Sequence, residues 1–368
     1  MRALFAVATL LAAAATGCIG SSVVDKRGAR IEPVCPAVSV TCAGAADVPV
    51  IEPMPPEAFA SPVSACVGRS SIVLGPGDDL AERTIDCADI SIELGVGETL
   101  DIRGAALRDV NISARGADGA VLRLSGTTAE RVHIALAGHA WLVVADRSEL
   151  TDVVADAARE MEGAVVTVST STGSSFSVRT GARGGVRVEQ SELAGGVLEL
   201  GTLDAEESQL HDVRLFVDAA HLSASGLFGG TSEVGTGVLV DTLVSGSQIQ
   251  RCGSLRFVTA MLRTAFVASC DRTTAFVGGA IVDSRVLGAL ELSGTDVTGS
   301  RLVPGHTAAL TLIDALVRDS VFCGADELIA DGGELTCDGC APEIARIMLG
   351  DVYVDTPECP SLQAAAPP

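Results

Sequence analysis

The chain has 368 residues, 48% of them hydrophobic, and carries 47 Asp plus Glu against 25 Lys plus Arg for a formal net charge of −22. That acidic excess argues against unaided binding to nucleic-acid phosphates or to anionic membranes. Lys26 is the only lysine and Asn111 the only asparagine, and aromatic residues make up 3% of the chain. Codon usage in a GC-rich genome explains the depletion, which also leaves few stacking platforms and no amide ladders.

Met1 and Arg2 form a minimal charged start, Ala3 to Ala15 an apolar stretch, and small residues follow. This is the anatomy of an export signal, and the stretch is too short to span a bilayer. The next residues, Ala15-Thr16-Gly17-Cys18, resemble the bacterial lipobox, in which a small residue precedes a cysteine that is lipidated and becomes the mature N-terminus. Ala15 stands where that motif usually has Leu. The resemblance implies a signal peptide over 1–17, lipidation at Cys18 and a lipid anchor in the cell envelope, with the outer membrane as the expected location.

Cysteine arithmetic agrees. The chain has 11 cysteines, and setting Cys18 aside leaves Cys35, Cys42, Cys66, Cys87, Cys252, Cys270, Cys323, Cys337, Cys340 and Cys359. An even set in an oxidising compartment reads as disulfide candidates. Residues 18–65 are rich in Pro, Ala, Val and Ser, without a sustained period, and read as a spacer. Cys35 and Cys42 are spaced to close a small loop within it.

From Cys66 onward, short Val, Leu and Ile runs are punctuated by Gly, Ser, Asp and Thr, which predicts many short strands. Apolar residues five apart recur at intervals near twenty: Leu107 with Ile112, Ala129 with Ile134, Leu150 with Ala155, Leu193 with Leu198, Leu210 with Leu215. The series continues with Val244 and Ile249, Leu262 and Val267, Val282 and Leu287, Val297 and Leu302, Val317 and Phe322. A small residue often stands two positions earlier, as at Ala105, Ser191, Ser208, Thr242, Ala280, Ser300 and Ser320. This is the signature of a solenoid that stacks parallel strands. We therefore expect an all-β, right-handed parallel β-helix of about twelve coils over 66–336, with a disulfide-rich cap and tail at 337–368. The five-residue step resembles pentapeptide-repeat proteins and the variable coil length the pectin-lyase-like β-helices, and the choice between them stays open. A pair of β-sandwiches is the competing fold. Cys252 and Cys270 argue against it, since they occupy equivalent places in successive coils, about 4.8 Å apart when stacked.

The chemical motifs are sparse. Cys337-Asp338-Gly339-Cys340 has redox or half-zinc-site spacing, but no thioredoxin-like pattern surrounds it, and it reads better as disulfide chemistry. His133, His139, His211, His221 and His306 form no metal-binding helix motif. Asp78, Asp79, Asp118 and Asp326 sit in acidic loops that do not repeat as calcium-binding nonapeptides do. No catalytic residue, metal or cofactor is implied. The expected function is that of a non-enzymatic, lipid-anchored envelope protein, a structural or binding surface whose partners are the membrane, through its lipid, and an envelope protein or polysaccharide. The alternative is a polysaccharide lyase or hydrolase, which would gather three carboxylates and an arginine in one groove.

Overall fold

In a computed structural model, the structure describes residues 54–354 apart from 55, 79, 140, 158–162, 252–253, 270–272, 304–308, 323–326 and 341–345, together with the backbone at 23–24 and 30–31. Among the described residues the chain is all-β, with a single 3-10 turn at Pro56–Phe59. It divides into two compact units. One comprises Pro49–Val234 with Leu239–Gln248, and the other Met1–Val48, Gly235–Val238 and Ile249–Pro368.

The first unit is a parallel β-solenoid. Alternation drives it: Trp141–Asp146 is buried at every second residue, and each such strand pairs in parallel with its equivalents one coil before and one after. Two apolar columns fill the interior. One stacks Ile85, Leu107, Ala129, Leu150, Gly173, Leu193, Leu210, Leu227 and Val244. The other stacks Ile90, Ile112, Ile134, Ala155, Val178, Leu198 and Leu215. Each fully buried Leu or Ile contributes about 2 kcal/mol of apolar transfer, so a column holds its coils together only collectively.

The five-residue step has a backbone cause. Each coil turns two corners through residues of positive φ that stand five apart, as at Gly104 and Asp109, Arg147 and Asp152, or Glu207 and Asp212. Aspartate recurs at these corners, at 109, 152 and 212, because its short polar side chain tolerates the left-handed region better than most. In these coils the residue after the first corner, Ala105, Ser148 or Ser208, is small and buried, and the third after the corner is the apolar core residue. Coil length varies freely between the corners: equivalent hydroxyl rungs are 23 residues apart at Ser148 and Ser171 and 17 apart at Ser208 and Ser225.

Small buried hydroxyls build a ladder. The amide of Thr127 donates to Ser148 Oγ at 3.1 Å, Ser148 to Ser171 at 2.9 Å, Ser171 to Ser191 at 3.0 Å, Ser191 to Ser208 at 3.2 Å and Ser208 to Ser225 at 3.1 Å. In each of Ser171, Ser191, Ser208 and Ser225 the hydroxyl donates back to the carbonyl two residues earlier at 2.7 Å. Serine therefore takes the part that asparagine plays in an amide ladder. It satisfies amides that the solenoid buries at its bends.

The coils of Phe176 and Leu227 lack a five-spaced apolar pair in the sequence, and the structure gives a physical reason. Gly173 occupies the core slot of its coil, and the space is taken by Leu193 and Phe176. In the coil of Leu227, the second slot holds buried Ser232.

The second unit repeats the design. Its core columns are Leu262, Ile281, Val297, Val317, Leu335 and Val354, and Val267, Val286 and Leu302. The ring planes of Phe257 and Phe276 stack at 4.5 Å inside it. Here the sequence expectation slips by one residue. Ile281 and Val286 face the core, whereas Val282 is half-buried and Leu287 packs with Val303 in a small separate cluster beside Phe266 and Ala268. With two adjacent apolar residues, the pairs Ile281-Val282 and Val286-Leu287 fit the five-residue step in either register, and the corners at Gly278 and Asp283 decide between them. Parallel pairing runs past Thr336: Arg346–Leu349 pairs with Glu327–Asp331 and Tyr353–Val354 with Glu334–Cys340.

Candidate functional site

Several sequence candidates lie outside the described residues: Cys18, Cys35, Cys42, Cys252, Cys270, Cys323 and Cys359, together with Asp79, His306 and Asp326. Cys337 and Cys340 lie on the strand Glu334–Cys340, described in its backbone. Cys66 and Cys87 form a disulfide with a Cα separation of 5.9 Å, bridging 21 residues at the start of the first solenoid.

The described histidines stand apart from one another. His139 faces Asp118 at 3.5 Å, His221 meets Asp204 at 3.1 Å, and His211 stacks on Phe228 with ring centroids 4.7 Å apart. Asp78 accepts the Gly75 amide at 2.6 Å and so locks a turn. Among the described residues, no group of three His, Cys, Asp or Glu is placed to hold a metal ion.

Two clusters of charge, neither legible as a motif, lie on the outer surface of the first unit. One centres on Arg187, whose Nε sits 2.5 Å from Glu189 and 3.9 Å from Asp204, while Nη2 is 4.0 Å from Glu206. Strand register assembles it: Arg187, Asp204 and His221 stack in one outward column, and Glu189 and Glu206 in the next. Three carboxylates thus surround one arginine. They do so on an open sheet face, with Arg187 about half exposed at 52% and Glu206 at 60%.

The other cluster lies on a flank beneath the N-terminal segment. Phe59, carried by the 3-10 turn, packs with Val154, Val197 and Phe216, joined by Met54 and Ala58. The Arg179 guanidinium lies over the Phe59 ring at 4.7 Å and is clamped by both oxygens of Asp156 at 2.7 and 2.6 Å. Further along, Ser61 Oγ donates to Asn111 Oδ1 at 3.2 Å, and the Ser64 amide donates to Asp109 Oδ1 at 3.0 Å. The segment therefore runs as a strap across successive coils. Asp109 also accepts two bonds from Arg131, both at 2.8 Å, and Glu130 accepts from Arg131 and from Arg108.

The electrostatic consequences follow from these pairings. Hydrogen bonds from Arg131 hold the carboxyl of Asp109 well below the ordinary carboxylate range and lower that of Glu130 as well, against the opposing effect of burial. The same partners raise Arg131, and Asp156 raises Arg179. His133 moves the other way: burial lowers its proton affinity, and the charge of Asp156 offsets this only in part. His133 lies in register between Asn111 and Val154, where its Nε2 is buried with no hydrogen-bond partner.

The strap could not be found by composition, because its anchors are one aromatic and a few hydroxyls in an otherwise aperiodic stretch. Arg179 and Asp156 carried a faint signal, since their separation of 23 residues is one coil.

No protein-family model, curated protein or solved structure matches this chain.

Proposed function

We propose that this chain is a non-enzymatic, lipid-anchored protein of the bacterial cell envelope, held at the membrane through Cys18 and offering a rigid β-solenoid as a structural or binding surface. The address rests on the export-signal anatomy and the lipobox-like Ala15-Thr16-Gly17-Cys18. The non-enzymatic reading rests on one observation: outward charges brace the coils. Arg108 bonds Glu130 one coil on, Arg131 bonds Asp109, Arg179 bonds Asp156 and Arg318 bonds Glu334. A general acid needs a carboxyl whose proton affinity is raised, and Asp109 and Glu130 are displaced in the opposite direction.

A second reading has its own observation. Arg187 with Glu189, Asp204 and Glu206 is the grouping that a polysaccharide lyase or hydrolase would use. Its members are half exposed on an open face, which favours charge display over a water-excluded reaction centre.

Two measurements test these readings. Metabolic labelling with a fatty-acid analogue should mark the wild-type chain and not Cys18→Ser; label independent of Cys18 would remove the anchor. Purified mature protein should leave acidic polysaccharides intact; depolymerisation that Arg187→Ala and Asp204→Asn abolish would establish the enzyme instead.

A further inference from the structure

We infer that residues 57–64 form an acid-released clasp: protonation of His133 opens this strap while the coils beneath stay folded. The geometry places the histidine under the strap. Ser61 is fixed to Asn111, the neighbour of His133 on one side, and Phe59 is packed on Val154, its neighbour on the other. The strap between those anchors crosses His133, whose Nε2 is sealed from water and unpaired. A neutral imidazole tolerates that position at modest cost. An imidazolium there needs a partner or water that only the opened strap supplies.

The other charged groups around this site come from the neighbouring coils and from the strap itself, beginning with Asp89, which accepts from Asn111 at 2.9 Å and lies in register beside it. From the strand Ala106–Gly116 comes Asp109 and from Thr128–Gly138 come Glu130 and Arg131, and these three are locked to one another. Asp156 on Glu149–Ala157 is clamped by Arg179 on Ser177–Glu189. Glu199 on Val197–Glu206 stands beside Arg179, and Glu57 lies on the exposed side of the strap. Asp109, which holds the Ser64 amide, keeps its charge far into acid, so the strap's own carboxylate anchor is not what yields.

The sign follows from linkage. In the closed state burial lowers the proton affinity of His133 and Asp156 offsets this only in part; on this proposal, opening removes the burial and leaves Asp156 in place on the solenoid. Above the ordinary imidazole value of about 6.5, both states are neutral and pH has no effect. Below it the open state binds the proton that the closed state refuses. Opening should then grow by up to about tenfold per pH unit until the closed-state imidazole itself titrates.

Amide hydrogen exchange on the full chain, expressed as protection relative to the intrinsic rate, reads this directly. Protection at Ala60 and Ser64 should fall by up to about tenfold per unit below pH 6.5, while Ser191, inside the hydroxyl ladder, holds constant. In His133→Gln the strap amides should lose this dependence. Reciprocity adds a second readout that does not need that variant to fold: the His133 imidazole, followed by NMR, should titrate below its ordinary value in wild type and return toward about 6.5 in Phe59→Ala. A strap whose protection ignores pH, a fall that persists in His133→Gln, or an imidazole that titrates normally in wild type would each overturn the clasp.

Discussion

Replacing Ser208 by alanine tests the hydroxyl ladder at its centre. The hydroxyl accepts the Ser191 amide at 3.2 Å and donates to the Glu206 carbonyl at 2.7 Å, and the side chain is 1% exposed. Removing it leaves the Ser191 amide buried without a partner, where water cannot reach. An unsatisfied buried donor costs about 1–3 kcal/mol, whereas the Glu206 carbonyl, losing one of two acceptor sites, adds less. The expected loss is about 2 kcal/mol, confined at first to the coils around residues 188–212 because a solenoid couples each repeat mainly to its neighbours. Native-state hydrogen exchange resolved by residue is the suitable assay, since global unfolding of a repeat array need not be two-state. Exposed Ser113→Ala should change stability by less than about 0.5 kcal/mol. Ser208→Thr should restore most of the loss, as the column already carries threonine at Thr127 and Thr242. If Ser208→Ala costs no more than Ser113→Ala, or if Ser208→Thr is as damaging as alanine, the ladder is not holding the bends together.

Three further perturbations separate register, backbone and charge. Ile281→Ala should cost about 2–4 kcal/mol and Val282→Ala less than about 1 kcal/mol by denaturant titration, because only the first faces the core. Gly279→Ala should cost about 3 kcal/mol or more: the position has a φ of 78°, and an added Cβ would run into the carbonyl of Ala260. Asp109→Asn should cost on the order of 2 kcal/mol, below the fully buried range because Arg131 keeps a 30% exposed side chain. Since folding lowers the proton affinity of Asp109, its contribution is present above the ordinary carboxylate value and is lost only as pH falls through the depressed one. Stability measured from pH 7 to pH 4 should therefore show the wild-type advantage over Asp109→Asn holding constant.

The legible part of the sequence and the hidden part differ in kind. Core columns such as Leu193 with Leu198 and Leu210 with Leu215 could be read because one physical requirement, an inward apolar residue at each stacked slot, repeats in every coil. The small residues two positions earlier were visible for the same reason, although not the hydroxyl ladder that they form. Where the requirement is met differently, the reading blurred. Gly173 yields its slot to Leu193 and Phe176, and the doublets at Ile281-Val282 and Val286-Leu287 leave the register ambiguous by one residue.

The sequence by itself determined the periodic elements: parallel strands, a five-residue step and coils of variable length, because each is written locally and repeated. Only the tertiary structure decided which outward residues meet. Arg179 reaches Asp156 one coil away, three carboxylates gather round Arg187, and Phe59 docks the N-terminal strap on Val154, Val197 and Phe216. Those contacts depend on stacking register and on an aperiodic segment docking across several coils, and neither leaves a period in the chain.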